Sequence, residues 1–214
     1  MKEIDIATWA RKSHYEWFSK FSNPCFGICV RMDVTKIVLF CKEHNISFYG
    51  AVIYAVSKSL NNIRPFRYRI LNERVVEISR ANAAYTVAAN DGFVNTRTQT
   101  DIDLLYFCSE VRKAHMILKN ASMSKSFNDT TVIDDFYFSC TPWIDFLSIT
   151  EPIPENMPEN NSIPRICWGR YVQENDKLMM SMNITVSHAL VDGKDVADAF
   201  LTIQRLFDMP ETLL

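Results

Sequence analysis

Residues Met180–Gly193 read MSMNITVSHALVDG, and this stretch organises the reading of the whole chain. Met180, Met182, Ile184 and Val186 alternate with Ser181, Asn183, Thr185 and Ser187. A period of two is that of a β-strand with one apolar face. His188 continues the apolar parity, so it leaves the strand end on the side of the core-facing residues. An imidazole held there, partly desolvated, suits general-base work near neutral pH. Four residues on, Asp192-Gly193 gives a tight turn. A final helix is expected from about Lys194 to Phe207, with Val196, Phe200, Ile203 and Phe207 along one face.

Working outward, strands and helices intersperse without regular βαβ alternation. Helices are expected over Arg11–Phe21, from Thr35 (as cap) through Glu43, over Phe48–Asn61, and over Asp101–Asn120. In the last of these, Ile102, Leu105, Val111 and Leu118 mark the apolar stripe. Strands are expected over Phe26–Val34, Ala83–Ala89, Asp134–Cys140, Ile163–Val172 and Leu178–Ser187. Arg67–Leu71 and Arg74–Ser79 form a hairpin around Asn72-Glu73. Glu151–Ser162 (EPIPENMPENNS) reads as a surface loop. The pattern implies an α/β (α+β) protein, a mixed β-sheet flanked by helices, with residues 1–214 as a single domain.

Composition narrows the function. The chain has 214 residues, 48% hydrophobic and 22% charged, with a net charge of -2. That is enough for a sizeable core and gives no electrostatic basis for nucleic-acid binding. No apolar run has the length of a signal peptide or a bilayer span, so the protein is expected to be soluble, non-exported and cytoplasmic. The cysteines at 25, 29, 41, 108, 140 and 167 are scattered and read as free thiols. His14, His44, His115 and His188 are far apart in sequence, and no metal site is expected. The absence of a Gly-x-Ser-x-Gly elbow disfavours a serine hydrolase.

His188-x-x-x-Asp192-Gly193, between a strand and the last helix, resembles the motif of CoA-dependent acyltransferases: chloramphenicol acetyltransferases, dihydrolipoyl acyltransferases and condensation domains. Further segments are similar to the trimeric chloramphenicol acetyltransferases in particular. They are Trp9-Ala10-Arg11-Lys12, Phe48-Tyr49-Gly50-Ala51, Arg64-Pro65-Phe66-Arg67, Tyr85-Thr86-Val87, the run Ser139-Cys140-Thr141-Pro142-Trp143-Ile144-Asp145-Phe146-Leu147-Ser148, and Gly169-Arg170-Tyr171. Their order and spacing hold from about Ile4 to Phe207.

This resemblance implies acetyl-CoA-dependent O-acetylation of chloramphenicol, with acetyl-CoA as co-substrate and no permanently bound cofactor. His188 would be the base for direct attack on the thioester, and Ser148 the donor to the oxyanion. Asp192 would pair with Arg11 and support the site, not act as a charge partner of His188. Phe26, Cys25, Cys29, Phe93 and Phe136 would line the acceptor pocket. Cys167, Arg170 and Tyr171 would contact CoA, while Trp143 and Phe146 belong to the core. The family works as a homotrimer with active sites at subunit interfaces, so no membrane or nucleic-acid partner is implied.

Three features depart from the pattern: Ser187 before the histidine, Cys167 where a threonine is usual, and the stretch Ala88–Thr98. They keep open an acetyltransferase for a different hydroxylated small molecule, or a catalytically silent ligand-binding relative. A dihydrolipoyl acyltransferase core is disfavoured, because no lipoyl domain or flexible linker precedes it.

Overall fold

The computed structural model describes residues 1–90, 92–121, 132–155 and 157–214. Its centre is a seven-stranded mixed sheet. The strands are β2 (Cys25–Asp33), β5 (Asn82–Ala89), β6 (Gly92–Thr98), β7 (Asp135–Thr141), β8 (Arg165–Gly169), β9 (Val172–Glu174) and β10 (Lys177–Ser187). The order is β2-β10-β8-β7-β5-β6, with β9 pairing the start of β10. β7 runs parallel to β5 and to β8, and the remaining pairs are antiparallel. A smaller sheet joins β1 (Lys2–Glu3), β4 (Arg74–Glu77) and β3 (Tyr68–Leu71). The hairpin of β3 and β4 turns through Asn72 and Glu73, both at positive φ (49° and 62°). That is the mirror-image turn that matches strand twist.

The helices are α1 (Lys12–Phe18), α2 (Thr35–Glu43), α3 (Phe48–Asn61), α4 (Leu104–Leu118), the short α5 (Pro158–Asn161) and α6 (Gly193–Asp208). Helices α2, α3, α4 and α6 pack against one another and bury the apolar side of the sheet. α6 contributes Val196, Ala199, Phe200, Ile203 and Phe207. Phe207 is fully buried, so truncating it to alanine costs about 3–5 kcal/mol.

Local chemistry moves several expected boundaries. Thr35 does not cap α2; Val34 holds that position and Thr35 is the first helical residue. Asp33 Oδ1 accepts from the Thr35 amide (3.0 Å) and hydroxyl (2.6 Å), and the Thr35 oxygen accepts from the Leu178 amide (2.8 Å). α4 starts at Leu104 because Asp103 caps it, accepting from the Tyr106 amide at 2.8 Å. Its buried stripe is therefore Leu104, Phe107, Cys108 and Val111, with Leu105 exposed. β6 was hidden in the sequence because Val94 is its one buried residue. Ile163–Val172 is not one strand: β8 ends at Gly169 and β9 starts at Val172. Glu151–Ser162 is less open than a surface loop, since it contains α5 and a buried Ser162.

The two faces of the large sheet differ. Ile184, Val186, Ile166, Trp168, Phe136 and Phe138 point into the helix-covered core. Asn183, Thr185, Ser187, Arg165, Cys167, Tyr137 and Ser139 alternate with them and form a polar face. Register aligns this polar face across strands: Asn183 lies opposite both Cys29 and Cys167, and Cys167 opposite Ser139.

Among the described residues no helix is long and apolar enough to cross a membrane. No three His, Cys, Asp or Glu side chains among them gather as metal ligands. All six cysteines are free thiols.

Candidate active site

β10 delivers His188 to a turn, where its amide donates to Pro24 O (2.9 Å) and Leu190 and Val191 donate back to Ser187 O. The imidazole stacks on Phe18 of α1, with centroids 4.2 Å apart and planes 15° apart. Phe26 meets the same imidazole, with centroids 4.6 Å apart and planes tilted by 47°. The ring is thus gripped by two aromatic side chains on the helix-covered side of β10.

Arg11, at the N-terminal end of α1, forms an ion pair with Asp192. One guanidinium nitrogen meets Oδ2 closely, and the other is 3.2 Å from Oδ1. Arg11 also donates to the His188 carbonyl (3.2 Å), which ties the helix, the turn and the imidazole together. Hydrogen bonding from Arg11 holds the Asp192 carboxyl below its ordinary range. The Asp192 amide donates to Asp195 Oδ2 (2.9 Å) at the start of α6. Nδ1 of His188 is buried and unbonded among the described residues, with Asp192 Oδ1 3.5 Å away. The side chain is 34% exposed, which leaves Nε2 as the nitrogen able to meet a substrate.

Two cavities open elsewhere. The larger, about 840 Å³, is lined by Phe48, Tyr49, Trp143, Trp168, Arg170 and Tyr171 among others. Phe48 meets Tyr171 edge-on at 5.4 Å, and the Tyr49 hydroxyl donates to Thr86 O (2.8 Å). The segment after β7 closes over β8: the Arg170 amide donates to Ile144 O (2.8 Å), and a Cβ at Gly169 would lie 2.8 Å from that oxygen. This close approach leaves Trp143 73% exposed beside the cavity, a correction to its expected place in the core. Phe146 is buried.

The second cavity, about 680 Å³, lies over the polar face, with Arg97, Asp135, Tyr137, Glu151, Arg165 and Cys167 in its wall. Thr86, Phe93 and Ser139 line both cavities. Ser139 therefore stands on the partition, opposite Cys167 in the register of the two strands. Burial pushes the Cys167 thiol up to about 11, so it stays protonated.

The residues singled out from sequence separate in space. Arg170 and Tyr171 line the larger cavity, whereas Cys167 faces the smaller one. Phe26 meets His188, but Cys25 and Cys29 alternate with it and point to the opposite face; the Cys25 thiol donates to Asn161 O (3.5 Å). Phe136 is not a pocket wall: it is fully buried, with the Arg69 guanidinium 5.5 Å from its ring centre. Ser148 is exposed in the single chain and lines neither of these two cavities. Ser139, nine residues earlier in the same run, is the serine that the geometry puts between the cavities. Its parity on a strand beside Cys167 was the available signal.

His188 and Ser139 cannot meet within one chain. They lie on opposite faces of the sheet. Two strand spacings of about 4.8 Å and five residues of about 3.3 Å along β10 put their Cα atoms roughly 19 Å apart.

The sequence and the fold are similar to those of known proteins. The family model described as "Chloramphenicol acetyltransferase" matches residues 1–204. A chloramphenicol acetyltransferase of Proteus mirabilis is 26% identical over 213 residues, covering 96% of this chain and 94% of that protein. One of Vibrio anguillarum is 29% identical, covering 89% and 86%. A solved chloramphenicol acetyltransferase superposes with a TM-score of 0.85 at 23% identity, covering 96% and 99%. A dihydrolipoamide acetyltransferase of Azotobacter vinelandii gives 0.70 at 14%, covering 94% and 88%.

Proposed function

The chain belongs to the chloramphenicol acetyltransferase family, and from that premise we propose that it transfers the acetyl group of acetyl-CoA to a hydroxyl of chloramphenicol. Residues 1–214 act as one domain. Acetyl-CoA enters as a co-substrate through the larger cavity, where Phe48, Tyr49, Trp143, Arg170 and Tyr171 offer aromatic surface and one cation. The acceptor occupies the cavity over the polar face.

His188 removes the proton from the acceptor hydroxyl as that oxygen attacks the thioester carbonyl. Ser139 donates to the oxyanion that forms. Collapse of the intermediate expels the CoA sulfur, which takes the proton back from His188. Arg11 and Asp192 hold the turn that presents the imidazole. Cys167, beside Ser139, contacts the reacting end of the thioester.

The observation that carries the reading is that His188 is held ready on one face while Ser139 sits between two cavities on the other. That split supports a homotrimer in which His188 of one copy completes the cavities of the next. The setting proposed is the cytoplasm, where acetylation of chloramphenicol confers resistance to it.

The test follows thiol release from acetyl-CoA with and without chloramphenicol. Wild type shows chloramphenicol-dependent release, and His188→Ala loses about 10²–10⁴-fold. Release that survives His188→Ala unchanged removes the mechanism.

A further inference from the structure

Two segments carry much of the wall of the larger cavity: Pro142 and Trp143 after β7, and Gly169, Arg170 and Tyr171 between β8 and β9. A single guanidinium holds both. Arg31 lies on the edge strand β2, opposite Ser181 of β10. One of its terminal nitrogens donates to Asp145 Oδ1 (2.5 Å) and to Ser181 Oγ (3.0 Å), and Ser181 Oγ donates to the same Asp145 oxygen (3.3 Å). The other nitrogen pairs closely with Glu174 of β9. Asp145 is two residues from Trp143, and Glu174 three from Tyr171. The backbones of the two segments also meet, through the Arg170 amide and the Ile144 carbonyl, and Gly169 leaves no room there for a Cβ. Arg31 is 30% exposed and Asp145 25%, so water screens the pair only in part. Without the guanidinium, a carboxylate from each segment would face the other, and like charges push apart. The cluster is remote from the base: seven residues of about 3.3 Å along β10 put Ser181 roughly 23 Å from His188.

We propose that Arg31 is a positioning residue for the acyl donor, its fork setting the spacing of the two segments between which acetyl-CoA enters. It governs donor affinity and leaves proton transfer and acceptor binding alone. The inference rests on the reading of the larger cavity as the donor entrance. The planar fork matters as much as the charge. Two nitrogens reach two carboxylates at once, whereas a lysine ammonium is a point charge and cannot present that geometry.

The purified full chain is assayed as wild type, Arg31→Ala, Arg31→Lys and Glu174→Gln. The KM for acetyl-CoA, the KM for chloramphenicol and kcat are measured separately, and affinity for free CoA is measured by calorimetry, where turnover is not needed. Light scattering and thermal melts follow assembly and folding. Arg31→Ala should raise the KM for acetyl-CoA and weaken CoA binding by about three- to thirty-fold, with kcat and the KM for chloramphenicol within about twofold of wild type. Arg31→Lys should fall between Arg31→Ala and wild type. Glu174→Gln removes the charge from one arm of the fork at a half-exposed position and should give a smaller shift of the same kind. It carries the test if Arg31→Ala does not fold. CoA binding left unmoved in the folded variants overturns the proposal. So does a fall in kcat, or a change in assembly from wild type, because Arg31 would then be a structural or contact residue. If CoA binding follows Arg31 but no chloramphenicol is acetylated, the inference stands and the transferase reading fails. If chloramphenicol is acetylated through His188 while CoA binding ignores Arg31, the reverse holds.

Discussion

Mixing two dead variants should restore activity. His188→Ala removes the proposed base from one face of a subunit, and Ser139→Ala removes the proposed oxyanion donor from the other. Given their roughly 19 Å separation across the sheet, the proposed trimer has each working site take its histidine and its serine from different copies. In a ring of three containing both variants, one of the three contacts brings an intact His188 to an intact Ser139. Trimers carrying both chains, isolated by two affinity tags after coexpression, should therefore show about one third of wild-type turnover. Each parent should lie far below that: about 10²–10⁴-fold down without the base, and about 10²–10³-fold down without the donor. Thiol release from acetyl-CoA under saturating acceptor reads all three preparations. Mixed trimers no more active than their parents would refute the reasoning, because residues serving one chain's own site cannot complement.

Further outcomes follow from the same geometry. Ser148→Ala should stay within about twofold of wild-type turnover, since Ser148 touches neither cavity; a loss comparable to that of Ser139→Ala would return the oxyanion role to it. Asp192→Asn should lower kcat more than it raises either KM and should reduce stability by about 1 kcal/mol, the partly exposed pair with Arg11 being screened by water; thermal melts and kinetics report each. The lowered Asp192 carboxyl makes this contribution present above about pH 4 and lost as pH falls further. Asp135 works in the other direction: burial outweighs Arg97 and raises its carboxyl to about 6, so stability present below about pH 4 is lost as pH climbs through 6, by on the order of 3 kcal/mol. Asp135→Asn should flatten the stability curve over that interval in denaturant titrations. Trp143→Ala should raise the KM for acetyl-CoA and leave kcat nearly unchanged, since its exposed ring lines the larger cavity.

What could be read from sequence was what repeats locally. The period-two run from Met180 to Ser187 placed His188 on the correct side of its strand, and the apolar spacing of α6 and α3 survived as buried faces. Errors gathered where a cap or a sheet neighbour decides. Asp103 shifted the α4 stripe by fixing its first turn, and the polar edge strand β6 needed β5 beside it before it could be recognised. The candidate site residues divide between the faces for a related reason. Cys25, Phe26 and Cys29 are close in sequence, yet alternate parity sends the cysteines to one face and Phe26 to the other. Ser148 and Ser139 belong to one run, but only Ser139 lies within a strand whose register sets it opposite Cys167. A strand assigns every residue to one of two faces, whereas the order of strands decides which faces combine. Here that order puts the histidine and the serine back to back. On the proposed mechanism, association then becomes a condition of chemistry, and a monomer with every side chain in place would still lack a complete site.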